Sequence, residues 1–322
     1  MRRFGGRLTV HVVTTIAIPA FLAHCGGGAS ERSGAGTTLS DAESGADGGP
    51  STPDASEMAN ADAKADATPC GADGARGGPS CSPNETCCAG WCTDTSKDPS
   101  NCGRCGNACS ATQFCTGVAC DDAVLKNLCV NPHATVVLDP YMDDNTAGNA
   151  LGGALSTTCM PVVKVVTTSQ DAGLAQDPAG RPIAGVGDTL VAGGGWYGQA
   201  AVAYMDAHGL TPLLVSTDGT HSWIRDSKTS ANVVLVPNTA LTMHHDYFVF
   251  EVGVEPTSGT LCFFGYGMTG LGTTVASYYF QTNVLPHASA FPGSWYVYEW
   301  TDKDMDGAGS AGDTFTAIAD GI

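Results

Sequence analysis

The chain has 322 residues and a formal net charge of −18, with 14 Lys and Arg against 32 Asp and Glu. That acidity excludes a nucleic-acid binder, which needs clustered basic residues to meet phosphate. Its 14 Cys exclude an ordinary reducing cytosol unless the thiols hold metal.

The chain opens with Arg2, Arg3 and Arg7, then runs through a mostly apolar stretch from Leu8 to Ala23. That stretch is too short and too interrupted for a membrane-spanning helix, so residues 1–24 read as a signal peptide. It ends in Leu22-Ala23-His24-Cys25, followed by Gly26-Gly27-Gly28, and this segment resembles a bacterial lipobox. His24 stands where that pattern has a small residue. The resemblance implies lipidation of Cys25, attachment to a membrane through the N-terminal lipid, and location at the outer membrane or cell surface. From Cys25 to Pro69 the only large apolar side chains are Leu39 and Met58. Such a segment buries too little surface to offset its ordering entropy, so residues 25–69 are expected to be a disordered acidic linker.

Residues 70–120 contain ten Cys: Cys70, Cys81, Cys87, Cys88, Cys92, Cys102, Cys105, Cys109, Cys115 and Cys120. Aliphatic residues are almost absent, so a small disulfide-rich module is expected, with five bridges whose connectivity the spacing leaves open. Cys102-x2-Cys105 and Cys88-x3-Cys92 also have zinc-ligand spacing, but an exported chain favours disulfides. The run from Cys87 to Cys120 carries Gly90, Asp98, Pro99, Asn101, Gly103, Gly106 and Gly117 among its cysteines. It is similar to the stigma-specific cysteine-rich protein family, which implies an extracellular spacer or adhesion module rather than a catalyst.

Residues 121–322 hold most of the hydrophobic pattern. Strand-like runs are expected at Thr135–Asp139, Val162–Thr167, Asp188–Ala192, Leu213–Ser216 and Val233–Val236. Turn residues occupy Pro140 to Thr146, and helical patterns follow at Ala147–Thr158, Trp196–His208 and Leu271–Leu285. Tyr247–Val254 and Thr260–Tyr266 read as a hairpin, and Trp295–Trp300 as a final strand. The expected architecture is multidomain: signal peptide, linker, disulfide-rich module, and an α/β domain with a mixed sheet. Cys129 and Cys159 are the favoured pair among the three remaining cysteines, with Cys262 a buried small hydrophobe.

The strongest chemical pattern is the loop 302–313. Asp302, Asp304 and Asp306 stand at positions 1, 3 and 5 of a twelve-residue calcium loop, with Gly307 at the sharp turn. Ala308 would offer its carbonyl, Ser310 would act through water, and Asp313 closes the loop where an EF-hand has Glu. Calcium (Ca2+) is the expected cofactor. Gly193-x-Gly195-x-x-Gly198 matches a dinucleotide fingerprint formally, but Trp196 and Tyr197 are bulky where backbone would meet pyrophosphate, so a tight strand-to-helix turn is preferred. The segments from Asp188 to Ile322 are remotely similar to the α/β domain of archaeal surface-layer-type proteins, which implies a structural or adhesive role in the cell envelope.

Enzyme patterns are weak. There is no Gly-x-Ser-x-Gly elbow and no His-Glu-x-x-His. His244-His245-Asp246 has poor metal-ligand spacing, and Glu251, Glu255 and Glu299 are expected on solvated strand faces. Asp139, Asp143 and Asp144 cluster after the first strand, where α/β ligand sites lie. The expected function is a non-catalytic surface lipoprotein of structural or adhesive type, contacting a cell-envelope protein or glycan and not nucleic acid. The alternatives are a solute- or glycan-binding lipoprotein using Asp139, Trp196 and Asp218, and a secreted hydrolase.

Overall fold

The computed structural model describes Cys70 and residues 81–138, 141–159, 162–167, 173, 175–195 and 197–322. The signal segment, Cys25, the whole linker 25–69, Asp139 and Trp196 lie outside the described residues.

The disulfide module is built from two short hairpins. Strands β1 (Thr86–Cys88) and β2 (Trp91–Thr93) form one, and β3 (Gln113–Cys115) and β4 (Cys120–Asp122) the other. Five bridges hold it: Cys70–Cys87, Cys81–Cys92, Cys88–Cys105, Cys102–Cys115 and Cys109–Cys120. The adjacent Cys87 and Cys88 point to opposite sides of β1 and so reach different partners. Gly103 has φ of +69° and its α-carbon faces the Val118 carbonyl so closely that no side chain fits.

The α/β domain is organised on one mixed sheet of seven strands. Its strands are β5 (His133–Leu138), β6 (Val162–Thr167), β7 (Asp188–Gly193), β11 (His245–Glu255), β12 (Thr260–Gly267), β13 (Trp295–Thr301) and β14 (Thr314–Gly321). Their order is β14-β13-β11-β12-β7-β5-β6. Strands β6, β5, β7 and β12 are mutually parallel, and β11, β13 and β14 extend the sheet by antiparallel pairing.

Period-two alternation assigns the two faces. Phe248, Phe250 and Val252 of β11 and Phe263 of β12 pack with Leu151, Leu155, Val275 and Phe280. Those partners come from α1 (Met142–Cys159), α3 (Gly270–Tyr279) and the turn that continues α3. Val249, Cys262, Phe264 and Val297 point the other way. They meet α2 (Ala200–Ala207) and a separate three-stranded antiparallel sheet of β8 (Leu213–Thr217), β9 (His221–Asp226) and β10 (Asn232–Pro237). The sheet is therefore the middle of three layers.

The module is not an independent bead. Phe114 is buried in the same apolar cluster as Leu125, Leu128, Val254 and Leu261. Backbone bonds from Leu125 to Gly293 and from Lys126 to Phe291 join the following segment to the far end of the domain. A sixth disulfide, Cys129–Cys159, ties that segment to the end of α1, and Cys262 is a buried free thiol.

Several local expectations change. The first helix begins at Met142, inside the expected turn, because Asp143 and Asp144 sit in its first turn where carboxylates favour the positive helix end. Helix α2 starts at Ala200, one turn late, after a turn at Tyr197-Gly198. The long helix expected over Leu271–Leu285 ends at Tyr279, passes through a wide π turn, and becomes a 3-10 segment at Leu285–Ala290, where Pro286 lacks a backbone donor. Strands β9 and β14 were not expected: their polar residues hide the pattern, and pairing with β8, β10 and β13 forms them. Glu251 and Glu255 are buried rather than solvated. Glu251 accepts from the Tyr266 hydroxyl and Leu213 N, and Glu255 accepts from Ser258 N at the hairpin turn.

Candidate functional site

Two places in the α/β domain concentrate polar chemistry. The first is a cleft of about 400 Å³ at the C-terminal ends of β7 and β12. Strand β5 connects through α1 outward to β6, whereas β7 continues through α2 on the other face. Parallel sheets open a crevice where connections diverge in this way. The cleft wall carries Asp143 and Asp144 from α1, Tyr141 and Tyr197 at its mouth, and Tyr266 and Thr269 on its inner side.

The glycine run explains how α1 reaches the cleft. A side chain at Gly193 would collide with the α1 backbone at Gly148. At Gly194, whose φ is +130°, a β-carbon would lie 2.5 Å from Asp144 Oδ2. The Gly193-Gly194-Gly195 segment thus serves close helix approach, and the space beside it is filled by acidic side chains. Pyrophosphate would meet the Asp144 carboxylate there, which favours reading the glycine run as a tight strand-to-helix turn.

Asp246 closes the inner side. Its Oδ2 accepts from Thr269 N at 3.1 Å, Thr269 Oγ1 at 2.6 Å and Gly272 N at 3.0 Å, capping α3 from a neighbouring strand. Burial pushes its carboxyl up to about 6, against the opposing effect of these bonds. Beneath the cleft, burial also raises Glu251 well above the ordinary carboxylate range, helped by nearby Asp206, which burial itself raises to about 6.

The second place is the loop 302–313, which joins β13 to β14. Carboxylate oxygens of Asp302, Asp304 and Asp306 lie within 4.8 Å of one another. Asp302 accepts from Met305 N at 2.6 Å and Gly307 N at 2.8 Å, which folds the loop around its buried side chain. Met305 and Gly307 take φ of +61° and +73° to bring those donors inward. Asp302 also meets His244 Nδ1 at 2.7 Å. Ser310 Oγ donates to Asp304 at 2.9 Å, and Ala308 N donates to Asp306 at 2.8 Å. Asp313 sits at the loop base, accepting from Trp300 Nε1, Lys303 N and Ser310 N.

Three converging carboxylate side chains fit a hard cation, with the His244 ring bonded to Asp302 from outside the trio. Asp302, Asp304 and Asp306 are the residues brought together, while Asp313 lies outside the trio and braces the loop base. Asp218 lies in the β8–β9 turn, exposed. His221 N, Thr220 Oγ1 and Thr220 N donate to it and hold it down to about 2, so it serves the turn and does not line the cleft. Its neighbours Thr217 and Ser222 do line it. Tyr141, Tyr197, Tyr266 and Thr269 are cleft residues that no motif marked. The legible signals were Asp143 and Asp144, as an acidic pair after the first strand, and Gly195 and Gly198 of the glycine run.

His245 and Glu299 form a separate surface pair. His245 Nε2 lies 2.8 Å from Glu299 Oε1 and Nδ1 lies 2.9 Å from the Ala240 carbonyl, so neither ring nitrogen is left to act as a base.

Residues 45–123 match the Stigma-specific STIG1-like protein family, which covers the cysteine-rich module. No curated protein and no solved structure matches the chain. Among the described residues no helix is long and apolar enough to cross a membrane. Six disulfides are the chemistry of an oxidising compartment.

Proposed function

We propose that this chain is an exported, non-catalytic contact protein of the cell surface, with a disulfide module and a calcium-stabilised α/β domain forming one durable body. The lipobox-like segment ending at Cys25 supports attachment of that body to the outer membrane through lipid, with residues 25–69 as its tether. The similarity of Asp188–Ile322 to surface-layer-type domains supports an envelope role, toward a protein or glycan partner.

The observation that carries the reading is the preformed loop 302–313. Asp302, Asp304 and Asp306 would hold calcium, with the Ala308 carbonyl and Ser310 completing an oxygen shell and Asp313 bracing the base. Extracellular modules of this kind bind calcium at about 10⁻⁴–10⁻³ M. Calcium titration of the oxidised chain is expected to raise its melting temperature in that range. The double variant Asp304→Ala, Asp306→Ala is expected to be unresponsive. A wild-type chain indifferent to millimolar calcium removes the calcium part of the proposal. Cys25→Ala is expected to move the protein from the membrane fraction to the soluble one, and unchanged fractionation removes the anchor.

A second reading, a solute-binding surface protein, is favoured by the cleft at the ends of β7 and β12. Screening small ligands by thermal shift, with product analysis for turnover, separates it from both the contact reading and a hydrolase.

A further inference from the structure

The cleft is rich in acceptors and poor in donors. Four of its five Ser and Thr hydroxyls already donate within the fold: Thr217 to His221 O, Ser222 to Asn238, Thr269 to Asp246, and Thr273 to Thr269 O. Three of its backbone donors are similarly engaged, Gly267 N on Thr273 Oγ1, Met268 N on Tyr247 O and Gly198 N on Gly195 O. Among the described residues no Lys, Arg or His lines it.

Its charge has one sign. Asp143 and Asp144 face the cleft from the first turn of α1. The Asp143 carboxylate stands over the backbone of Gly270, at the start of α3, and accepts no hydrogen bond from a described residue. The positive helix ends at the cleft are both met by acids: α1 carries Asp143 and Asp144 in its own first turn, and α3 is covered by Asp143 on the cleft side and capped by buried Asp246 behind. At the mouth, the rings of Tyr141 and Tyr197 lie 6.0 Å apart and both are exposed. Electron-rich ring faces beside a carboxylate pair attract a cation.

We propose that the cleft binds a small organic cation, a primary ammonium group on a compact body, with the ammonium at Asp143 and Asp144 and the body against Tyr197. An ammonium is a donor-only group and matches a wall whose charged groups, Asp143 and Asp144, are acceptors. A neutral polyol needs donors as well as acceptors, and a carboxylate or phosphate ligand would meet two like charges. The volume of about 400 Å³ suits a ligand of this size. The proposal rests on the solute-binding reading and names the ligand class for that site.

Matched probes test it: glucosamine against glucose, and benzylammonium against benzyl alcohol, by titration calorimetry on the full oxidised chain. The ammonium member of each pair is expected to bind at least about tenfold more tightly, with affinity falling as salt rises. Asp143→Asn is expected to lose about tenfold or more toward the ammonium probes. Its side chain is exposed and bonds to no described residue, so the variant loses only the charge at the starts of α1 and α3, and a cooperative melting curve close to that of the wild type checks that the fold is kept. Tyr197→Ala is expected to weaken benzylammonium. Equal binding of charged and neutral partners, unchanged by Asp143→Asn, overturns the cation assignment and leaves the solute-binding reading standing. No binding by any of the four probes overturns the cation assignment, and failure of a wider neutral-ligand screen then overturns the solute-binding reading too.

Discussion

The Glu251 carboxylate accepts the Tyr266 hydroxyl at 2.7 Å, with both side chains buried between the sheet and its second face. Strand β11 supplies the acid and β12 the phenol, on the same side of adjacent strands. Burial raises this acid and Asp206 beside it, so the folded state holds protons that the unfolded state has released. The sign follows from linkage: stability falls as pH rises from the ordinary carboxylate range, about 4, through the Asp206 value of about 6. Glu251→Gln is expected to flatten that fall, measured by urea midpoints between pH 4 and pH 8. Parallel profiles for variant and wild type would contradict the assignment.

Phe114 belongs to the disulfide module by sequence and to the domain core by position. Phe114→Ala is expected to destabilise the whole described body by about 3–5 kcal/mol, through lost burial and the cavity left behind. Denaturant unfolding followed by Trp fluorescence reads this, since all Trp but Trp91 lie in the α/β domain. An unshifted transition would mean that the module and domain unfold independently.

Asp313 and Asp304 have different roles in the loop 302–313. Asp313→Ala leaves the indole N–H of buried Trp300 and two backbone donors without their acceptor. It is expected to cost about 1–3 kcal/mol even in a chelator. Asp304→Ala removes one bond from Ser310 and is expected to change chelator stability by less than about 1 kcal/mol while weakening the calcium response. Thermal melts of both variants with chelator and with calcium check the split. Equal losses for the two in chelator would refute it.

The His245–Glu299 pair gives a second pH dependence. Partial burial pulls the imidazole down, but Glu299 and the Ala240 carbonyl outweigh it and hold its pKa above the ordinary value of 6.5. Its contribution is full below about 6.5 and is lost as pH rises through the folded value. Glu299 is held down by the His245 bond, so its own contribution is lost only on acidification through its lowered value. Both side chains are partly exposed, so the pair is worth under about 1 kcal/mol. Glu299→Gln is expected to remove the alkaline-side loss, read as melting temperature from pH 6 to pH 9. A wild-type loss that persists in the variant would exclude this pair as its source.

The strongest local patterns were legible. Val162–Thr167 is a strand because its β-branched residues suit a pleated surface, and the Tyr247–Tyr266 hairpin follows from alternation around a Gly-containing turn. Gly209 ends α2 with φ of +64°, a conformation Gly adopts without strain. Strand β14 was not legible: Thr314 to Gly321 is mostly exposed, and it is a strand because β13 presents an edge to it. The cleft was half legible. Asp143 and Asp144 mark the end of a strand, but nothing local brings them to Tyr197, Tyr266 and Thr269, which stand roughly 50 to 125 residues further along the chain.

By itself the sequence determined what depends on short-range chemistry: an acidic, cysteine-rich chain with a dense disulfide module, a Gly-broken α/β pattern, and an Asp-x-Asp-x-Asp-Gly loop. Each rests on spacings of a few residues, over which backbone geometry and side-chain type suffice. Only the tertiary structure decided the bridge partners within the disulfide module, the burial of Glu251 and Glu255, the seating of Phe114 in the domain core, and the cleft. Those depend on which strands become neighbours. Strand order is set by the packing of whole faces across the sheet, a collective property that no local spacing records.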